Sequence, residues 1–118
     1  IKAQRVRTML MQEAVKVMEK IDVFVAPGST FIPRPVGAPP PEPPTAPRTG
    51  GPPRGGGNRT LTMTNLTGHP SVVVPCGFRQ GLPVGLMFVS NLFDEGAALR
   101  LALAYESATE WHKRRPPI

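Results

Sequence analysis

A proline- and glycine-rich stretch from about residue 33 to residue 57 limits what this chain can fold into more than any other feature. Ten of the sixteen prolines in the 118 residues lie between Pro33 and Pro53, and glycines extend the bias to Gly57. Such a stretch offers few apolar side chains for burial. We therefore expect a loop or insert between two ordered pieces, roughly 1–32 and 58–118. Neither piece can bury a substantial core alone, so both should pack against further protein.

The two ordered pieces show the periodicity of an α/β fold. Residues 1–21 repeat apolar side chains every three or four positions, which predicts a helix that ends near Lys20. The apolar run at 23–26 has no polar alternation, so it predicts a strand that is buried on both faces. The runs at 71–74 and 84–89 predict two further strands, which should form an antiparallel hairpin.

Three shorter signals complete the predicted layout. A short helix is expected around Leu61, and residues 65–70 should end it. Pro75 is expected at the end of its strand, where no hydrogen-bond donor of the ladder is lost. Asp94 is a suitable N-cap for a last helix that runs to about His112. The predicted order of helix, strand, long loop, two strands and helix is that of the edge of an α/β or mixed β-sheet covered by helices.

The composition argues against several classes of function. The formal charge of +6 is spread along the chain, so we expect no nucleic-acid site. The single cysteine, Cys76, excludes an internal disulfide, and no apolar run reaches the ~18 residues of a membrane span. Because the N-terminus does not have the form of a signal peptide, we expect a cytoplasmic protein without a membrane partner. A start at Ile1 is also expected of a piece cut from a longer chain.

The residues that can carry chemistry are few and widely spaced. Cys76 follows an apolar strand, where we expect a small buried or half-buried hydrophobe rather than a reactive thiolate. His69 is predicted in a turn and His112 in the last helical turn. These spacings match no metal site, and the glycine triplet 55–57 is typical of a loop rather than a phosphate cradle. We therefore predict no catalytic residue, no metal and no cofactor within the chain.

Several motifs along the chain are shared with one enzyme family. They are AQR at 3–5, DVFVAP at 22–27, NLTGHPSVVVP at 65–75, GLPVGL at 81–86, FDE at 93–95 and AYE-ATEWH at 104–112. Together they resemble the C-terminal part of the amidase signature family. These are Ser-cisSer-Lys amide hydrolases, and they include the A subunit of aminoacyl-tRNA amidotransferases. The resemblance implies the C-terminal portion of that fold, a mixed β-sheet covered by helices. It would form an incomplete domain over 1–118 with an insert at 33–57.

The resemblance also implies an activity, the hydrolysis of a carboxamide C–N bond through an acyl-enzyme. The family's catalytic Lys and two Ser belong to a part that this chain lacks, so the chain alone should be inactive. Its expected partners are the missing N-terminal part of the same domain and a small-molecule amide substrate.

The loop from Asn58 to Thr67 is the part of the chain that the resemblance places beside the substrate. Candidate substrate-binding residues there are Asn58, Thr62 and Asn65. In the glutamine-hydrolysing members of the amidotransferase group, an acidic residue lies near the position of Asn58. Its absence favours a general amidase over an amidotransferase A subunit.

The residues alone also allow a function of a different class, a basic, proline-rich interaction module. Residues 39–53 have the composition of a polyproline II ligand for an aromatic groove, and Pro44-Thr45-Ala46-Pro47 matches the P-x-x-P pattern. Such matches are common in proline-rich loops, so a surface insert of the amidase fold is the preferred interpretation.

Overall fold

The computed structural model describes residues 1–29, 36–39 and 59–115. The elements in these ranges are helices α1 (Lys2–Met18), α2 (Arg59–Thr67) and α3 (Glu95–Ala108), strands β1 (Val23–Pro27), β2 (Ser71–Arg79) and β3 (Leu82–Ser90), and a 3-10 turn at Trp111–Lys113. The predicted order of helices and strands is confirmed. Most of the predicted 33–57 insert, with its P-x-x-P match, lies outside the described residues.

The three strands form an antiparallel sheet in the order β1-β3-β2. The predicted hairpin is confirmed, because β2 pairs with β3 from Ser71 opposite Val89 to Arg79 opposite Leu82. Gln80 and Gly81 connect the two strands, with φ angles of 53° and 77°. Positive φ at both central residues is typical of a two-residue hairpin loop, whose twist matches that of the strands.

The prediction that Pro75 ends its strand is wrong. Pro75 lies inside β2 opposite Gly85, and the register shifts between Pro75 and Gly77. β2 is an outer strand of the described sheet, and an outer strand tolerates a residue without N–H because one of its edges is not paired within that sheet. The register shift is a bulge, which inserts an extra residue and bends the strand.

The predicted burial of β1 on both faces is wrong for the chain as described, because Val25 is 51% exposed. One face of the sheet packs against α3 in a cluster formed by Val74, Phe88, Ala98 and Ala102. Side chains alternate along a strand, so Met87 and Val89 of β3 face the opposite side, and both are fully buried. The central strand is thus covered on two sides, while the outer strands keep apolar surface.

The last helix begins as predicted and ends earlier. The Asp94 carboxylate accepts a hydrogen bond from the backbone N–H of Ala97 at 3.1 Å, which confirms the predicted N-cap. α3 stops at Ala108 because Thr109 takes an extended conformation, and His112 falls in the separate 3-10 turn. Among the helices in the described ranges, none is long and apolar enough to cross a bilayer.

Candidate functional site

Helix α2 carries two of the three residues predicted to bind substrate. Thr62 and Asn65 are both exposed, and their spacing of three places them on one face of the helix. Asn58 lies outside the described residues. Residues 59–67 are helical, which confirms the short helix expected around Leu61 and corrects the description of Asn58 to Thr67 as a loop. The candidate substrate-binding residues Thr62 and Asn65 therefore lie on a helix face, which holds their side chains at a fixed spacing.

The C-terminal end of α2 is closed by local hydrogen bonds. Gly68 has a φ of 80°, a left-handed conformation that glycine adopts without steric cost. Its N–H donates to the carbonyl of Thr64 at 2.8 Å. The hydroxyls of Thr64 and Thr67 are turned back onto the helix and donate to the carbonyls of Leu61 and Met63. Because both hydroxyls have hydrogen-bond partners, the two threonines can be buried despite being polar.

A charged side chain of α1 holds α2 in place. The guanidinium Nε of Arg7 donates to the backbone carbonyl of Leu66 at 2.6 Å. A cation at this position pairs with one of the carbonyls that the last helical turn leaves without a partner.

A partly open apolar cavity lies between the two helices and β1. It has a volume of about 240 Å³, and its lining is Ala14, Val17, Met18, Ile21, Phe24 and Met63. Phe24 pairs with Val89, so it points to the face of the sheet opposite Phe88 and α3. Helices α1 and α2 therefore lie on that opposite face, with Thr62 and Asn65 on an exposed side of α2.

His69, predicted as a turn residue, is buried between α2 and β2. The residue is 4% exposed, and its Nδ1 lies 2.8 Å from the hydroxyl oxygen of Thr67. Within the described residues its Nε2 is buried and has no hydrogen-bond partner. Burial lowers the pKa of His69 below its usual value of 6.5, because a charged imidazolium is poorly solvated there. The signal that sequence reasoning missed is the position of this histidine directly before an apolar strand.

Cys76 and His69 do not form a nucleophile and base pair. The Nδ1 of His69 bonds to Thr67, and its Nε2 has no partner in the part of the chain that the structure describes. Cys76 is half-buried and lines an apolar groove of about 350 Å³ with Val25, Val84 and Leu86. A thiolate needs a base or a cation for stabilisation, and this lining offers neither.

Metal ligands are not grouped in the described ranges. No three side chains of His, Cys, Asp or Glu in residues 1–29, 36–39 and 59–115 come close enough to hold an ion. The described part of the chain thus offers a helix face with two polar side chains and an apolar scaffold behind it.

Comparison with known proteins connects this scaffold to one family. The sequence model of the family described as Amidase matches residues 1–99. The chain is 40% identical, over 127 residues, to the A subunit of the glutamyl-tRNA(Gln) amidotransferase of a Synechococcus strain, covering all of this chain and 21% of that protein. It is also 40% identical to the A subunit of the same enzyme from Halalkalibacterium halodurans, covering 99% of this chain and 22% of that protein.

Solved structures agree with these sequence matches. The A subunit of the glutamyl-tRNA(Gln) amidotransferase from Thermotoga maritima superposes with a TM-score of 0.69 and 26% identity, over 92% of this chain and 22% of that one. A bacterial aryl acylamidase of the amidase signature enzymes superposes with a TM-score of 0.68 and 25% identity, over 93% of this chain and 23% of that one. The chain therefore spans about a fifth of the length of the proteins that it matches.

Proposed function

The chain belongs to the Amidase family, and from this premise we propose that it is the scaffold and one pocket wall of an enzyme that hydrolyses small carboxamides. The reaction cleaves the C–N bond through an acyl-enzyme on a serine that lies outside these 118 residues. The remaining, N-terminal part of the same domain is the partner that supplies this nucleophile. The cytoplasmic location stays a prediction from the sequence.

The observation that carries this proposal is the match of the family model over residues 1–99. The geometry supports the scaffold role, because the described residues form a sheet and its covering helices. The Thr67 hydroxyl lies within reach of His69, but it is buried and donates to the carbonyl of Met63. Apolar surface at Val25 and Val73, which are 51% and 49% exposed, supports packing against more of the same sheet domain.

The test compares this chain with the full-length enzyme that contains it. We expect the full-length enzyme to release ammonia or an amine from simple amides, and the 118-residue chain to release none. Turnover by the chain alone, abolished by changing a residue within it, would overturn the assignment of catalysis to the rest of the enzyme.

Thr62 and Asn65 supply the second part of the proposal, in which the exposed face of α2 contacts the substrate. Their hydroxyl and amide groups can each donate and accept a hydrogen bond. In the full-length enzyme, Asn65→Ala should raise KM by about two- to tenfold with little change in kcat, as expected for a contact made equally in ground and transition states. Ser107→Ala, an exposed polar residue on α3, is the control and should change neither constant. An unchanged KM for Asn65→Ala would contradict the proposed contact between Asn65 of α2 and the substrate.

A second candidate is an amidotransferase A subunit, because the curated relatives at 38–41% identity carry that name. Against it stands Asn58, where the resemblance places an acidic residue in the glutamine-hydrolysing enzymes. The two candidates differ in their use of free glutamine, whose ammonium group needs an anionic partner. We expect poor glutamine hydrolysis that improves in Asn58→Asp, whereas efficient hydrolysis by the unsubstituted enzyme would favour the second candidate.

A further inference from the structure

His69 presents a buried ring nitrogen that the described structure does not use. We propose that His69 is a positioning residue whose Nδ1–H orients the end of α2 through Thr67, and whose Nε2 accepts a hydrogen bond from a protein N–H or O–H donor outside the described residues. The proposal goes beyond the proposed function, since it concerns a buried imidazole whose described hydrogen bond is with Thr67.

The position of the imidazole proton follows from the single proton of the Thr67 hydroxyl. That hydroxyl donates to the carbonyl of Met63 at 2.9 Å. Its oxygen therefore faces His69 as an acceptor, at 2.8 Å from Nδ1. Nδ1 must carry the proton of that bond, and a neutral imidazole has only one N–H. His69 is thus the Nδ1–H tautomer, with a bare lone pair on Nε2.

The surroundings keep the ring neutral. His69 is 4% exposed, and burial lowers its pKa. A neutral ring with its proton on Nδ1 makes Nε2 an acceptor only, so a carbonyl or a carboxylate cannot be its partner. Buried acceptors in folded proteins are paired in the great majority of cases. The chemistry of the missing partner is therefore fixed as an N–H or O–H donor.

The C-terminal end of α2 is therefore oriented by two hydrogen bonds. The His69 ring orients the Thr67 hydroxyl, and Arg7 binds the carbonyl of the neighbouring Leu66. Because Thr62 and Asn65 lie on the same short helix, a shift of this end would move both. This link to substrate binding rests on the proposed function, while the tautomer and the donor do not.

The tautomer can be measured by nitrogen and carbon NMR of the full-length protein with labelled histidine. The two matched variants are Thr67→Val and Thr64→Val. Both remove a buried hydroxyl from α2, but only that of Thr67 faces His69. We expect a protonated Nδ1 and a non-protonated Nε2 near neutral pH. Thr67→Val should change the ring signals, and Thr64→Val should leave them unchanged. A proton on Nε2, or an equal response to both variants, would overturn the proposal.

The donor is tested on the same sample and in a crystal structure of the full-length protein. A Nε2 signal shifted from that of a free lone pair, with a protein N–H or O–H within hydrogen-bond distance, supports the proposal. An ordered water as sole partner would overturn the assignment to a protein donor. A free Nε2 without any donor would overturn the acceptor role.

Steady-state kinetics can tell whether His69 positions α2 or takes part in the chemical step. His69→Asn keeps an N–H that can reach Thr67, whereas His69→Leu keeps the bulk and loses both polar atoms. We expect His69→Leu to raise KM by about two- to tenfold with little change in kcat, and His69→Asn to recover part of the loss. A loss of kcat alone, or equal effects of the two variants, would contradict positioning. If the NMR results hold but no amide is hydrolysed, the proposed function fails and the histidine assignment stands.

Discussion

The two faces of the sheet are covered by helices that are attached in different ways. On one face, α3 packs through apolar side chains, with Phe88 and Val74 of the sheet against Ala98 and Ala102 of the helix. The rings of Phe88 and Tyr105 add a tilted contact, with centroids 6.0 Å apart. On the other face, α1 and α2 also bring apolar side chains towards the sheet, with Met18 and Met63 near Phe24. There α2 has directional hydrogen bonds in addition, from Arg7 to Leu66 and between His69 and Thr67.

The two kinds of contact differ in how much they stabilise the fold and in how strictly they orient a helix. Apolar burial is strong and has no direction, so it fixes α3 to the sheet without requiring one exact angle. Hydrogen bonds contribute less free energy and require defined geometry. In the proposed function α2 presents Thr62 and Asn65 to a substrate, and a helix with that role would benefit from the second kind of attachment. We therefore expect changes on the α3 face to lower stability, and changes around α2 to act locally.

The largest effect should come from Phe88→Ala, which breaks the apolar attachment of α3. Phe88 is 3% exposed, and its removal leaves a cavity against Ala98 and Ala102. The free energy of unfolding should fall by about 3–5 kcal/mol in chemical denaturation. Leu99→Ala is the control on the exposed side of α3 and should cost less than about 0.5 kcal/mol. Similar losses for both variants would mean that α3 is not held by burial.

A smaller effect is expected from Asp94→Ala, which removes the N-cap of α3. The carboxylate accepts from the N–H of Ala97 at 3.1 Å, and losing such a cap costs about 1 kcal/mol. Hydrogen exchange at the Ala97 amide should accelerate in step with this loss. Asp22→Ala, a change of an exposed aspartate outside the helices, should leave that amide unchanged.

Arg7→Met tests the attachment of α2 directly. It keeps the length of the side chain but removes the donor to the Leu66 carbonyl, at an expected cost of about 0.5–1 kcal/mol for an exposed bond. The change should appear as faster hydrogen exchange at Gly68, whose N–H closes the end of α2. Arg5→Met on the same helix is the control. A uniform loss across the sheet would contradict a local role for α2.

The smallest effect concerns pH and His69. Because burial lowers the pKa of His69 in the folded state, the unfolded state binds its proton more readily. The contribution to stability is fully present above the usual value of 6.5 and is lost as pH falls from there through the lowered pKa. Denaturation from about pH 8 to about pH 5 should show a steeper loss for the unsubstituted protein than for His69→Asn. Parallel curves would show that His69 is not a buried neutral base.

Local patterns predicted most of the fold. The three- and four-residue spacing of α1, the apolar runs of the strands and the cap at Asp94 are properties of neighbouring residues, and each gave an element of the correct type. The errors lie where distant packing decides. Pro75 fits inside β2 because that strand is outermost in the described sheet, and this is a property of strand order. The short helix was expected around Leu61, but it runs to Thr67, where the contact of Arg7 with the Leu66 carbonyl comes from α1, far away in the sequence.

The candidate site was predicted only in part, for the same reason. Thr62 and Asn65 were identified through a family resemblance, and their common helix face became visible only with the backbone conformation. The sequence by itself determined the elements and their order, because these depend on local composition. Tertiary structure alone decided the burial of His69 and the contact of Arg7 with α2, because each depends on atoms that only packing brings together.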